Sequence, residues 1–217
     1  MIRLRIASPR RSVPVLVLTA LISACGSSAP RDAAPAPPAE QVPEVGPQTI
    51  SGRAPAPING YPAVVVLEPQ RTGELPPQTV VPVMDQVQTS FTPKMLLVRT
   101  GQPAEFWNND EVLHNVRIRE DVTKAQAFNV AIPTGEKYRF TFDRDGFYDV
   151  GCDIHPEMAA QIVATSSPYA TLADNVGDFV IDNVPPGPYK AVVYTGAAKI
   201  ERTITVPVAG ELNLTSP

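Results

Sequence analysis

The residue types with the richest chemistry fall in one short stretch, Cys152-Asp-Ile-His155-Pro-Glu-Met158, with His114 upstream. These are both histidines of the chain and its only cysteine besides Cys25. A thiolate, two imidazoles and a weak thioether form the donor set of a copper site suited to one-electron transfer. The spacing makes mechanical sense. Residues 147–150 read as a strand running into Cys152, and Met158 opens the next strand over 159–164. A tight turn between adjacent strands points Cys, His and Met at one spot. The fourth donor then comes from another strand end, and His114, after the turn Asn108-Asn-Asp110, suits that role. Two separate anchors fix the site before metal arrives, and little rearrangement on redox change keeps electron transfer fast. Two other readings stay open. Cys152 as a small buried hydrophobe beside a turn histidine is one. Zinc held by Cys and two His is the other, against which Met158 weighs because zinc seldom takes a thioether.

The elements that must position these residues read as all β. No stretch keeps a helical period for three turns, whereas short apolar runs and period-two alternation recur. Residues 63–67 are continuously apolar, as for a strand buried on both faces. Residues 95–98 precede a turn at Gly101, and 105–107 lead into Asn108. Residues 138–142 alternate and stop at Asp145-Gly146, and 161–164 form a short run. Residues 179–181 precede Val184-Pro-Pro-Gly187, followed by strands over 189–194 and 203–206. Many short strands with Gly, Pro and Asn-Asp punctuation predict β-sandwiches. One short helix is expected between Asp121 and Phe128.

Several motifs carry a family likeness. The run Gly101-Gln-Pro-Ala-Glu-Phe-Trp-Asn-Asn-Asp110, followed by His114-Asn115-Val116, resembles the first-ligand region of cupredoxins. Phe140-Thr-Phe142, Gly146 and Tyr148 resemble the run into their ligand loop. The Cys-x-x-His-Pro-x-Met loop is similar to that of amicyanin-type cupredoxins. The resemblance, from about Val80 to Thr165, implies a Greek-key cupredoxin β-sandwich with one copper ion cycling between Cu(I) and Cu(II) at one end. It makes His114, Cys152 and His155 the equatorial ligands and Met158 the weak axial one. Asn115 would bond across to the ligand loop. Glu157 stands where amicyanins carry an aromatic residue, so a more acidic and less apolar rim is expected beside His155, and an amine dehydrogenase partner does not follow.

The flanks resemble a second family. Residues 166–169 through Asp178-Phe-Val-Ile-Asp-Asn-Val-Pro-Pro-Gly-Pro-Tyr189 are similar to the carboxypeptidase regulatory-like domain, a small transthyretin-like β-sandwich. That family opens with strands like Thr49-Ile-Ser-Gly52 and 63–67, which here precede the cupredoxin region. Residues 166–217 alone would leave an exposed edge and apolar face. The expectation is that 49–75 and 166–217 fold together around an inserted domain at 76–165, the alternative being two domains in series.

Residues 1–24 contain four arginines and no acid, and an apolar run ends at Ile22-Ser23-Ala24-Cys25. This is a secretory signal pattern, too short to span a bilayer. Its ending resembles the bacterial lipoprotein box, which makes Cys25 the lipidated residue. Residues 25–48, rich in Pro and Ala, read as an extended disordered linker. The chain of 217 residues has 18 basic and 22 acidic groups, net −4, and offers no basic surface for nucleic acid. Without the four signal arginines, 14 basic groups face 22 acidic ones, a balance of −8 that favours basic partners.

Together these features predict a lipid-anchored blue copper electron carrier on the periplasmic side of a bacterial membrane, not an enzyme. Its redox partners would be proteins such as a c-type cytochrome or a periplasmic dehydrogenase. The alternative is a copper-binding protein for storage, delivery or sensing. Met84 and Met95 are too far apart to form the Met-rich tract expected of one. A scaffold lipoprotein with a vestigial site is a third reading, against which the intact donor set argues.

Overall fold

The computed structural model describes residues 45–70, 75–196 and 198–216; the signal peptide, Cys25 and nearly all of the expected linker lie outside them. Sixteen strands and no helix occur among the described residues. The described residues open with β1 (Gln48–Arg53) and β2 (Val64–Pro69). It continues through β3 (Val83–Val87), β4 (Ser90–Thr92), β5 (Met95–Arg99), β6 (Pro103–Asn108), β7 (His114–Glu120) and β8 (Gln126–Ile132). Next come β9 (Lys137–Thr141), β10 (Gly146–Gly151) and β11 (Ala159–Thr165). The last strands are β12 (Ala170–Leu172), β13 (Asp178–Val184), β14 (Gly187–Thr195), β15 (Ala198–Val206) and β16 (Leu212–Asn213).

Strands β3 to β11 form two sheets, β5-β11-β10-β7-β8 and β4-β3-β6-β9. Period-two alternation in β6, β7 and β10 turns Phe106, Ile118, Tyr148 and Val150 inward, and these pack with Met84, Phe142 and Ile162. The same cluster ends at Cys152 and Met158, so the chemistry sits at one end of this core. The Tyr148 hydroxyl donates to the carbonyl of Arg144 (3.0 Å), pinning the corner that enters β10.

The flanking segments share two further sheets, β13-β1-β16 and β12-β2-β14-β15. Their core holds Leu67, Phe179, Ile181, Tyr189, Val193 and Leu214. Here too a tyrosine marks a corner, with the Tyr189 hydroxyl donating to Pro185 (2.9 Å). Gly177, at φ +94°, closes the turn into β13, where a Cβ would collide with the Ala54 carbonyl.

The two sandwiches meet face to face. In β2, Val65 and Leu67 point into the flanking core while Val64 and Val66 point out, against Met95, Phe147 and Val163 from the outer face of the five-stranded sheet. That two-sided burial is why residues 63–67 show no alternation. Phe147 also stacks on Tyr194, with centroids 6.1 Å apart. Six buried side chains at about 1.5–3 kcal/mol each give this interface on the order of 10 kcal/mol of burial, the scale of a small core rather than of a hinge.

One expectation is corrected. The segment between Asp121 and Phe128 is a turn followed by β8, not a helix. The Glu120 carboxylate accepts from the backbone N–H of Val122 (3.0 Å) and Thr123 (2.6 Å) and from the Thr123 hydroxyl (2.6 Å). The turn thus returns the chain antiparallel along β7.

Candidate metal centre

The first side of the site is built by a buried asparagine. Asn108, at the end of β6, donates through Nδ2 to the carbonyls of Val112 (2.9 Å) and Ile132 (2.7 Å). Its Oδ1 accepts from the Asp110 N–H (3.0 Å). This folds residues 109–113 into a fixed loop and places His114 at the start of β7, with no exposed surface. Asp110 Oδ2 accepts from the Thr89 N–H (2.7 Å) and lies 3.0 Å from His114 Nε2. The Thr89 N–H first, then His114, holds the Asp110 carboxyl below its ordinary range. An ionised carboxylate only accepts, so Nε2 carries the imidazole proton and Nδ1 presents a lone pair.

The second side is the turn from β10 to β11. Inward alternation along β10 makes Cys152 the next core-facing position after Val150, with 3% exposure. The Met158 N–H donates to the His155 carbonyl (3.0 Å), closing the turn. Met158 is buried in the same apolar cluster as Cys152, whereas His155 is half-buried at the surface.

The two sides bring His114, Cys152 and His155 together. The histidine Nδ1 atoms are 2.9 Å apart, and Cys152 Sγ lies 4.0 Å from that of His114 and 3.9 Å from that of His155. A triangle with those edges has its centre about 2.1 Å from every corner, within the ~2.0–2.3 Å of metal bonds to nitrogen and sulfur. The three groups can therefore hold one small metal ion without moving apart.

Asn115, on the outward face of β7, reaches over the ligand loop. Its Oδ1 accepts from the Asp153 N–H (2.7 Å) and lies 3.3 Å from Cys152 Sγ. Its Nδ2 donates to Asn129 (2.7 Å) and Asp153 (3.2 Å). Sequence reading passed over Asp110, Asp153, Arg117 and Asn129. A carboxylate four residues before His114, and one directly after Cys152, were the signals available. It also passed over the apolar part of the rim. Glu157 is exposed, but the loops bearing the histidines also present Val112, Leu113 and Ile154, each about half exposed.

Comparison with known proteins matches residues 78–165 to the copper binding proteins of the plastocyanin/azurin family. Amicyanin from Paracoccus versutus is 28% identical over 98 residues, spanning 44% of this chain and 72% of that protein. Among solved structures, the reduced state of an amicyanin mutant shares 26% identity at a TM-score of 0.35, covering 39% of this chain and 81% of its own. A purple cupredoxin from Nitrosopumilus maritimus shares 21% at 0.35, covering 38% and 98% respectively.

Proposed function

We propose, from the premise that residues 78–165 are a cupredoxin domain with one copper ion, that the protein is a lipid-anchored blue copper electron carrier. One observation carries this reading: a buried thiol and two Nδ1 atoms converge around one point from two separately anchored elements. His114, Cys152 and His155 would hold the ion, and Met158, buried in the same cluster as Cys152, would serve as a weak fourth donor. Copper supplies a single electron, taken up and released without bond making. The protein's share is to keep the site from changing shape. Asp110 fixes the proton on His114 Nε2, Asn115 ties the loop to β7, and the apolar core excludes water.

Half-buried His155 gives the shortest way out, and the surrounding Val112, Leu113 and Ile154 offer a small dry contact for a redox protein such as a c-type cytochrome or a periplasmic dehydrogenase. Weak, quickly released contacts of this kind bury below about 1,200 Å². The flanking sandwich, read as a carboxypeptidase regulatory-like module, serves as a rigid platform. Lipid on Cys25 and the Pro- and Ala-rich segment after it hold the head near a membrane on its periplasmic side.

The test is an optical spectrum. Oxidised, copper-loaded protein should be intensely coloured by thiolate-to-copper charge transfer, and Cys152→Ser should be colourless; a colourless wild type with oxidant present refutes the reading. Reduced protein mixed with a cytochrome should pass its electron and retain its metal. Loss of copper to a chelating acceptor without electron transfer would assign copper delivery instead. Cys25→Ser should leave the membrane with its copper site intact.

A further inference from the structure

Asp153 follows Cys152 directly, and its side chain is 42% exposed. An exposed loop carboxylate is ordinarily solvated, yet this one is engaged from three directions. Oδ2 accepts from Asn129 Nδ2 (2.8 Å) and Asn115 Nδ2 (3.2 Å), and Oδ1 pairs with Arg117 Nη1. The Asp153 N–H is also bound, to Asn115 Oδ1.

The strand register produces this arrangement. Arg117 lies opposite Asn129 on β8 and opposite Gly151 on β10, so the three form one row across the outer face of the sheet. Arg117 rests over Gly151, where a Cβ would stand 2.8 Å from its Nη2. The residue before Cys152 thus carries a cation against it, and the residue after Cys152 is an anion, the two paired with each other. Exposed ion pairs contribute only about 0–1 kcal/mol to folding, so fold stability is a weak account of four bonds converging on one loop residue.

We propose that Asp153 is a positioning residue for Cys152, and that with Arg117 it forms a charge-balanced clasp that keeps either charge from shifting the reduction potential of the bound copper. The inference rests on the copper reading above. Its physics is simple: the oxidised centre carries one more positive charge than the reduced one. Asp153 favours the oxidised state and Arg117 the reduced state, and the pair nearly cancels. Removing either charge uncovers the other.

The experiment uses the full copper-loaded chain and compares wild type with Asp153→Asn, Arg117→Gln, Arg117→Lys and the Asp153→Asn/Arg117→Gln double variant. Asp153→Asn should raise the potential and Arg117→Gln should lower it, each by about tenfold in the redox equilibrium constant, the scale of one charge acting at this range. The double variant and Arg117→Lys should stay near wild type. Asp153→Ala, which removes the acceptor altogether, should weaken copper binding about 10–100-fold while the colour persists. A structural role alone would move both single variants the same way. Same-direction shifts, or no shift in either, in a coloured wild type would overturn the clasp and leave the copper reading standing. A colourless wild type would overturn both.

Discussion

The two sandwiches solve the same packing problem and differ in what they bury. Each pins a corner with a tyrosine hydroxyl on the carbonyl four residues upstream, Tyr148 on Arg144 and Tyr189 on Pro185. The flanking core is apolar except for small hydroxyl side chains such as Ser167, whose Oγ donates to the Leu67 carbonyl. The core of β3 to β11 is apolar only as far as its end, where Gln86, Asn108, His114 and Asn115 are buried. Buried polar groups destabilise unless bonded. Asn108 meets that cost with three bonds, and the Asn115 amide with bonds to both the loop and β8. One sandwich is therefore built for stability, and the other trades some stability at one end for a preformed donor set.

Core damage in the flanking sandwich should not reach the copper site. Leu67→Ala should lower stability by about 2–5 kcal/mol in denaturant titration. The charge-transfer band of the protein that remains folded should keep its position and intensity per copper. The converse change is Asp110→Ala, which frees His114 Nε2. Copper affinity should fall about 10–100-fold in chelator competition, and melting of the metal-free protein should change far less than for Leu67→Ala. The two corners should be equivalent: Tyr148→Phe and Tyr189→Phe should each cost about 1 kcal/mol in denaturant titration. A much larger loss at one corner would show that the two are not equivalent. Met158→Gln should keep strong colour and lower the potential, whereas loss of all copper would make Met158 a primary ligand.

The smallest effect is on acid stability. Asp174 accepts from the N–H groups of Val176 and Asp178, which hold its carboxyl below the ordinary value of 3.8. A depressed folded value gives stability that is present above 3.8 and lost as the pH falls through the folded value. Asp174→Asn should therefore flatten the stability curve below about pH 4 and leave it unchanged in shape near neutrality. Acid titration followed by circular dichroism reads this.

The β content was legible because alternation such as Tyr138-Arg-Phe140-Thr-Phe142 records a half-buried sheet. The convergence of His114, Cys152 and His155 was legible because two of them share one turn and the third follows the Asn108–Asp110 turn. What escaped the sequence depends on partners brought in from afar. Asp153 reads as a charged rim residue until β7 and β8 bring Arg117 and Asn129 to it across 36 and 24 residues. The Asp121 turn was misread for a related reason. Its capping bonds are local, but the segment becomes a strand only because β7 is there to pair with it.

The pairing of β1 with β16 has a mechanical consequence. β1 and β16 run parallel as neighbours, with Gly52 opposite Leu212, and β3 to β11 leave and re-enter the chain between them. Tension applied through the two ends of the chain therefore loads one small sheet in shear. The copper strands sit off that load path. In a pulling experiment the first rupture should release the flanking sandwich, with the strands of the copper domain still folded.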